Sequence, residues 1–455
     1  MIPALTIDRD GKETLLVQLV DGLKAHVESG HLEAGRKLPS TRVLAEALHM
    51  SRATVVAAFE QLEAEGFIVS KRGAGTFVAP VMIKGPKEKP QLKAGARGLE
   101  PQISRYVFEP GSPDMRLFPH KKWARYQNQV ARHNPELLVN AFPAFGDPVL
   151  RQALVRHLKD WRGLTCHADQ IIITAGAAEA VEICLRLLCK ANEAVALENP
   201  GYQYFHHLCQ GLGLESRFQA DDDVKAAILT PSHQFPLGGA MTVAARQAYI
   251  RWAKARNIWL IEDDYDSEFR FSGLPIPALS AYAPDERCLY VGSFSKIFST
   301  GLKLGYVVLP EALIEVFHKG LEVFPTKAAS PAQRPLALFL RDGEFSKHLK
   351  RMKRLYGERR QVVLDVLKGP LAGLVQFENY EAGMQIAVYL PKSVDDVQLS
   401  SELKKAGILC PPLSRYYFSD PVKSGLLIGY CANTVEELRA KSRDLIDILK
   451  QKLGV

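Results

Sequence analysis

Five short apolar runs, each closed by turn residues and separated by helical stretches, restrict the fold of this chain more than any other feature. They are QIIIT (170–174), AVALE (194–198), AAILT (226–230), IWLIE (258–262) and CLYVG (288–292). Runs that are apolar throughout, rather than alternating, suit strands covered on both faces, and stretches such as Ala177–Cys189 and Val243–Arg256 have the length and texture of the covering helices. The pattern predicts a mostly parallel sheet between helical layers, beginning near Glu109. After Glu315 the chain turns to long amphipathic helices (Phe345–Leu367) and then to strand-rich segments, which predicts a smaller α+β lobe running to Val455. In sheets of this kind ligands lie beyond the carboxyl ends of the strands, so the residues there are the first to read for chemistry.

The first eighty residues have a different texture. Leu16, Leu19, Leu23 and Val27 share one face of a helix over Thr14–Ser29. Ser40 caps a second short helix through Leu48, and Ser51 caps a third over Arg52–Glu65, where Val55, Phe59 and Leu62 share a face. FIVSK, the turn RGAG and TFV then read as a β-hairpin. Three helices followed by a hairpin predict a winged helix-turn-helix whose third helix enters a DNA groove. Arg42, Arg52, Lys71 and Arg72 fall where such a unit meets phosphate, with acidic residues mainly in the first helix and late in the third.

Bulk charge does not carry that reading. The net charge of +8 is not located in this segment: residues 1–78 hold nine Lys/Arg against ten Asp/Glu, while residues 79–100 hold five against two. Residues 80–108, rich in Pro, Gly and Lys and without periodicity, read as a flexible basic linker between a reader at 1–79 and a larger domain at 109–455. With 455 residues, more than one core is expected. The charged opening MIPALTIDRDGKE lacks the apolar core of a signal peptide, and no run of about 18 apolar residues occurs, so a cytoplasmic protein is expected and a membrane partner is not. Seven scattered cysteines without a C-x-x-C pair signal neither disulfides nor zinc.

Chemistry concentrates in SFSKIFSTGLKLGY (293–306). Lys296 follows a strand, flanked by hydroxyls at Ser293 and Ser295, with Lys303 seven positions on and Gly301 between. An amine able to form a Schiff base, beside groups suited to an anion, fits pyridoxal 5′-phosphate (PLP). TAGAAEA places Gly176, Ala177 and Ala178 at a strand-to-helix turn, where free N–H groups and the helix dipole can face a phosphate. Asp263 and Tyr265 stand just past an apolar run: a carboxylate there can keep a ring nitrogen protonated and a phenol can donate to the cofactor's O3′. Tyr202, at another strand exit, can stack on a ring. A paired Asp-Asp could instead take a metal, but no His or Glu spacing supports one, and no metal is expected.

Two family resemblances cover the chain. LPSTR, SR-x-TV, LEAEG and G-x-GTFV occur together and in order, and the N-terminal segment resembles the GntR family of bacterial transcription regulators. That resemblance implies double-stranded DNA as partner and Arg42, Arg52, Thr54, Arg72 and Gly73 as its contacts. The family's fatty-acid-responsive members carry an arginine where this chain has Val56. Over about 109–455, FGDPVLRQALVRHLKDWRG, TAGAAEA, ENPGY, TPSHQFPLG, EDDYDSEF and SFSK…GLKLGY resemble the fold-type I aminotransferases. This resemblance implies a large α/β lobe and a small α+β lobe, with Lys296 as Schiff-base lysine, Asp263 as ring-nitrogen partner, Tyr265 as O3′ partner, and Ser293, Ser295 and Lys303 holding the phosphate. The fusion is similar to the MocR subfamily, which implies a homodimer.

Three departures bear on mechanism. Phe235 stands where aminotransferases carry the asparagine that bonds O3′, with Gln234 beside it. Lys303 replaces an arginine, keeping charge but losing the bidentate fork. Leu427 in GLLIGYCAN stands where aminotransferases, and the family's GABA-responsive member, hold the arginine that grips a substrate carboxylate; Arg415 is the nearby cation that could compensate. The expectation is therefore a PLP-dependent DNA-binding regulator, not an enzyme, that senses PLP or an amino compound exchanging as an aldimine at Lys296. The competing readings are an active or bifunctional aminotransferase with an appended reader, and a dimerisation scaffold without PLP.

Overall fold

The computed structural model describes residues 5, 7–9, 13–80, 106–140, 142–218, 223–282, 287–419 and 422–454. The chain divides into two compact units, Met1–Gln102 and Ile103–Val455.

In the first unit, α1 (Leu15–Glu28), α2 (Thr41–Ala47) and α3 (Arg52–Ala64) are followed by an antiparallel hairpin of β1 (Ile68–Lys71) and β2 (Gly75–Val78). Thr14, Ser40 and Ser51 each accept a backbone N–H of the first turn of the helix they precede, which satisfies donors that a helix start otherwise leaves free. Leu19, Leu23, Val55, Phe59 and Leu62 meet in one core with Ile68 and Val78 of the hairpin. The acidic residues late in α3 act as staples: Glu63 accepts from the N–H and hydroxyl of Ser70, and Glu65 pairs with Lys24 of α1.

The second unit is built on a seven-stranded sheet. Its strands are β3 (Ile171–Thr174), β4 (Ala194–Leu197), β5 (Glu215–Arg217), β6 (Val224–Leu229), β7 (Trp259–Asp264), β8 (Cys288–Ser293) and β9 (Gly305–Val308), in the spatial order β3-β9-β8-β7-β6-β4-β5. All pairings are parallel except those of β9, which runs antiparallel between β3 and β8. The five apolar runs are all strands of this sheet; β5 and β9 are additional. Helices α4 (His120–His133), α5 (Pro148–Arg162), α6 (Ala177–Leu188), α7 (Gln203–Gly211), α8 (Val243–Arg256), α9 (Ile314–Val323) and α10 (Ser330–Arg341) accompany it. Apolar clusters on both faces bury β3, β4, β6, β7 and β8, which is why their sequences do not alternate.

The small lobe comprises α11 (Glu344–Lys368), the antiparallel strands β10 (Gln376–Phe377), β11 (Gln385–Tyr389) and β12 (Gly425–Gly429), and helices α12 (Asp396–Lys405) and α13 (Val435–Leu453). Its segment 414–419 is latched to the large-lobe turn at 199–203. Gly201 N–H donates to the Tyr416 carbonyl at 3.0 Å, the Gln203 amide to the Arg415 carbonyl at 2.8 Å, and the Phe418 N–H to Asn199 at 3.1 Å. Phe218 and Phe418 stack at 4.4 Å.

The boundary of the linker needs one correction. Residues 81–105 lie outside the described residues, but Val107 and Phe108 belong to the second unit: Val107 pairs with Ile408, and Phe108 is buried in its core because an apolar pair can be covered there. Among the described residues no helix is long and apolar enough to cross a membrane, and the cysteines are free thiols.

Candidate functional site

Each parallel strand delivers its sequence-predicted residues to the same edge of the sheet. β3 runs into Gly176 and the start of α6, where Ala177 and Ala178 open the helix with no side-chain cap. β8 ends at Ser293, and a single turn follows in which the Phe298 N–H donates to the Phe294 carbonyl. Phe294, Ile297 and Phe298 are all buried in the core below, so the turn is held from one side and Lys296 is left on the other. The chain then returns as β9, with Gly305 packed so closely against Gly176 and Gly292 that any side chain would collide with backbone. Ser293, Ser295, Lys303 and the α6 start are thereby brought to one neighbourhood. Within it the Ser293 hydroxyl accepts from the Ser295 N–H at 3.1 Å, and Lys303, at positive φ, is exposed.

Asp263 is the penultimate residue of β7, which pairs with β8 ahead of this loop. Its carboxyl is buried, its Oδ1 has no hydrogen-bond partner, and burial together with Asp264, Glu198, Asp266 and Glu262 pushes its pKa up to about 7. A buried carboxylate without a partner is costly, and a cation placed against it removes the cost. Burial also pulls the Lys296 amine below its ordinary value, against the opposing pull of Asp266, Glu109 and Asp263, which favours the neutral, nucleophilic form.

The surroundings of Tyr265 hold residues that motif reading passes over. Its hydroxyl lies 2.9 Å from His233 Nδ1, and the same nitrogen lies 3.0 and 3.1 Å from the two oxygens of Asp266. The carboxylate only accepts, so it fixes the proton on Nδ1; that N–H then faces the phenol oxygen, and the phenol's own proton is left to donate elsewhere. Gly383, at φ 89°, backs the imidazole, and a Cβ there would stand 2.0 Å from His233 Cε1. TPSHQFP carries His233 and EDDYDSEF carries Asp266, so both are visible as residues; only the fold brings them together. Gln234 does not face the site: its amide donates to the Pro200 and Phe235 carbonyls.

Tyr202 is 48% exposed and meets Phe235 edge-on, and Phe235 in turn meets Tyr265 and Tyr416 at ring separations of 5.2–5.9 Å. Leu427 is fully buried and packs with Ala387 and Leu413 against Phe235 and Tyr416, so the wall where a carboxylate clamp would stand is apolar. Arg415 is exposed.

In the first unit, Arg42 and Arg52 line one groove between α2 and α3, with Glu46, His49 and Met50. Glu46 of α2 pairs with Arg42 at 3.3 Å on an exposed surface, an interaction weak enough for phosphate to displace. Thr54 is half-buried and bonds Ser51, while Arg72 and Gly73 form the exposed tip of the hairpin, with Gly73 at φ 79°. Val56 is half-buried.

Known proteins match both units. The pattern described as "Bacterial regulatory proteins, gntR family" matches residues 15–78, and "Aminotransferase class I and II" matches residues 111–440. The probable rhizopine catabolism regulatory protein MocR of Rhizobium meliloti is 31% identical over 461 residues, covering 96% of this chain and 94% of its own. The chain belongs to the MocR-type regulators of the GntR family. Among other MocR-type relatives, the pyridoxine biosynthesis transcriptional regulator PdxR of Corynebacterium glutamicum is 31% identical, covering 93% of each chain. For the fold of the second unit, the crystal structure of an archaeal alanine:glyoxylate aminotransferase superposes with a TM-score of 0.71 at 24% identity, over 76% of this chain and 91% of that one. A MocR-type chain thus joins a winged helix-turn-helix to a fold-type I aminotransferase scaffold.

Proposed function

We propose that this protein is a transcription regulator in which PLP, held at Lys296, is either the sensed molecule or the group through which an amino compound is sensed. The observation that carries the reading is the unpartnered, buried Oδ1 of Asp263 beside the turn that bears a half-buried lysine with a lowered pKa. PLP supplies a carbonyl that condenses with amines and a ring nitrogen that becomes cationic. Asp263 would hold that nitrogen, Tyr265 would donate to O3′, and Tyr202 would cover the ring. Ser293, Ser295, Lys303 and the N–H groups of Ala177 and Ala178 would hold the phosphate. Their common position at the carboxyl edge of the sheet supports this reading.

A regulator fits better than a working aminotransferase because Leu427 stands where an arginine would grip a substrate carboxylate and Phe235 where an asparagine would bond the cofactor's O3′. The reader would contact operator DNA through Arg42, Arg52, Thr54, Arg72 and Gly73, as a homodimer in the cytoplasm. Ligand binding would shift the population of large-domain conformations and so the reach of the two readers. The test is a DNA-binding titration on the promoter beside its own gene, with and without PLP, for wild type and Lys296→Ala. Wild type should gain a visible absorption band with PLP and change its DNA affinity; Lys296→Ala should do neither. An unchanged ligand response in the variant sinks the proposal, and steady conversion of amino acids to keto acids at ordinary enzyme rates would favour the aminotransferase instead.

A further inference from the structure

Next to Lys296 stands a second set of polar atoms that the cofactor reading does not use. Gln385 of β11 is 6% exposed and its Nε2 has no hydrogen-bond partner. A Cβ on Gly111 would stand 3.6 Å from Gln385 Oε1 and 3.5 Å from Lys296 Nζ, so the carboxamide and the amine border one small space that the glycine leaves open. Glu109 contributes the third group. Its Oε2 is likewise buried without a partner, and its charge bears directly on Lys296. Its backbone carbonyl abuts Gly429, the residue directly opposite Gln385 in the β11–β12 pairing. Two residues further along the same pairing, Ala387 and Leu427 form the apolar wall with Phe235 and Tyr416. Buried polar atoms without partners are uncommon, and here two with opposite demands, a donor and an acceptor, belong to side chains that flank Gly111 and act on the reactive amine.

Resting on the PLP reading above, we infer that this is the subsite for the far end of the effector: an amine whose nitrogen lies at Lys296 and whose other end is a neutral group that both donates and accepts, a hydroxyl or carboxamide. A hydroxyl donates to Glu109 and accepts from Gln385, satisfying both. A carboxylate would satisfy Gln385 but face Glu109 with like charge and find Leu427 where an arginine would be needed. A second ammonium would satisfy Glu109 and leave Gln385 unpaired, and an alkyl end would leave both so.

Four amines on one three-carbon frame separate these cases: aminopropanol, β-alanine, diaminopropane and propylamine, titrated calorimetrically into the full-length PLP-loaded protein. Aminopropanol should bind about tenfold tighter than any of the other three, the discrimination expected from roughly one net hydrogen bond. Gln385→Leu should bring aminopropanol down toward propylamine. Gln385→Glu, which keeps size and polarity, should make diaminopropane the tightest, and this variant preserves the test if the leucine variant does not fold. β-Alanine binding tightest to wild type, or a ranking unchanged in both variants, overturns the inference alone. Absence of any visible band on adding PLP overturns the parent reading and this one with it.

Discussion

Asp263 gives the most demanding test of the site, because its buried charge must weaken the protein whenever no cation stands against it. Its pKa is raised from 3.8 to about 7. The folded state therefore binds more protons than the unfolded state between those values, and stability falls as pH rises through that window and levels off above it. Roughly three pH units at about 1.4 kcal/mol each place the full cost near 4 kcal/mol. That is a ceiling for what Asp263→Asn recovers, since the amide still leaves a buried polar atom unpaired. Urea or thermal unfolding of PLP-free protein should show the variant no more stable than wild type at pH 4 and more stable by about 2–4 kcal/mol at pH 8. PLP should close the gap by stabilising wild type while binding the variant weakly. A variant that is less stable at pH 8, or stabilised equally at both pH values, refutes the assignment of the shift to an uncompensated buried charge.

Other consequences follow from neighbouring contacts. His233→Ala removes the N–H that faces the Tyr265 oxygen, so the pH midpoint of the visible band in PLP-loaded protein should rise by on the order of one unit, read by absorbance titration, while His233→Gln should restore part of it. Gly383→Ala puts a methyl group onto the His233 ring at a backbone angle that disfavours side chains, and should cost about 2–4 kcal/mol in urea unfolding. Arg72→Ala should weaken binding to all DNA sequences alike and reduce the slope of log affinity against log salt by about one, measured by fluorescence anisotropy.

Much of this is legible in the sequence, for reasons that differ by element. The five buried strands are legible because a strand covered on both faces has no polar positions to confuse its pattern. The reader is legible because Ser40 and Ser51 mark helix starts and glycines mark the hairpin. β9 is hidden inside the lysine motif, where GLKLGY reads as phosphate loop rather than as the strand that returns beside it. Asp263 and Tyr265 can be picked out as candidates from their place after an apolar run. The roles of His233, Asp266, Glu109 and Gln385 cannot, because they arise from turns and lobes that converge only in space. Gln385 reaches the neighbourhood of Lys296 solely because β11 packs beside the chain at Gly111.

The lysine turn and the wall opposite it belong to different lobes. Lys296 is carried between β8 and β9 of the large sheet, pinned from below by Phe294 and Phe298, whereas Gln385, Ala387 and Leu427 ride on the small lobe. A ligand bonded at both ends would therefore act as a cross-link between the lobes, adding its own strength to the 414–419 latch only in the arrangement where both ends reach. It can bias the protein by no more than the difference in its affinity for the two arrangements, so a ligand gripping Lys296 alone would occupy the site and leave the lobes indifferent.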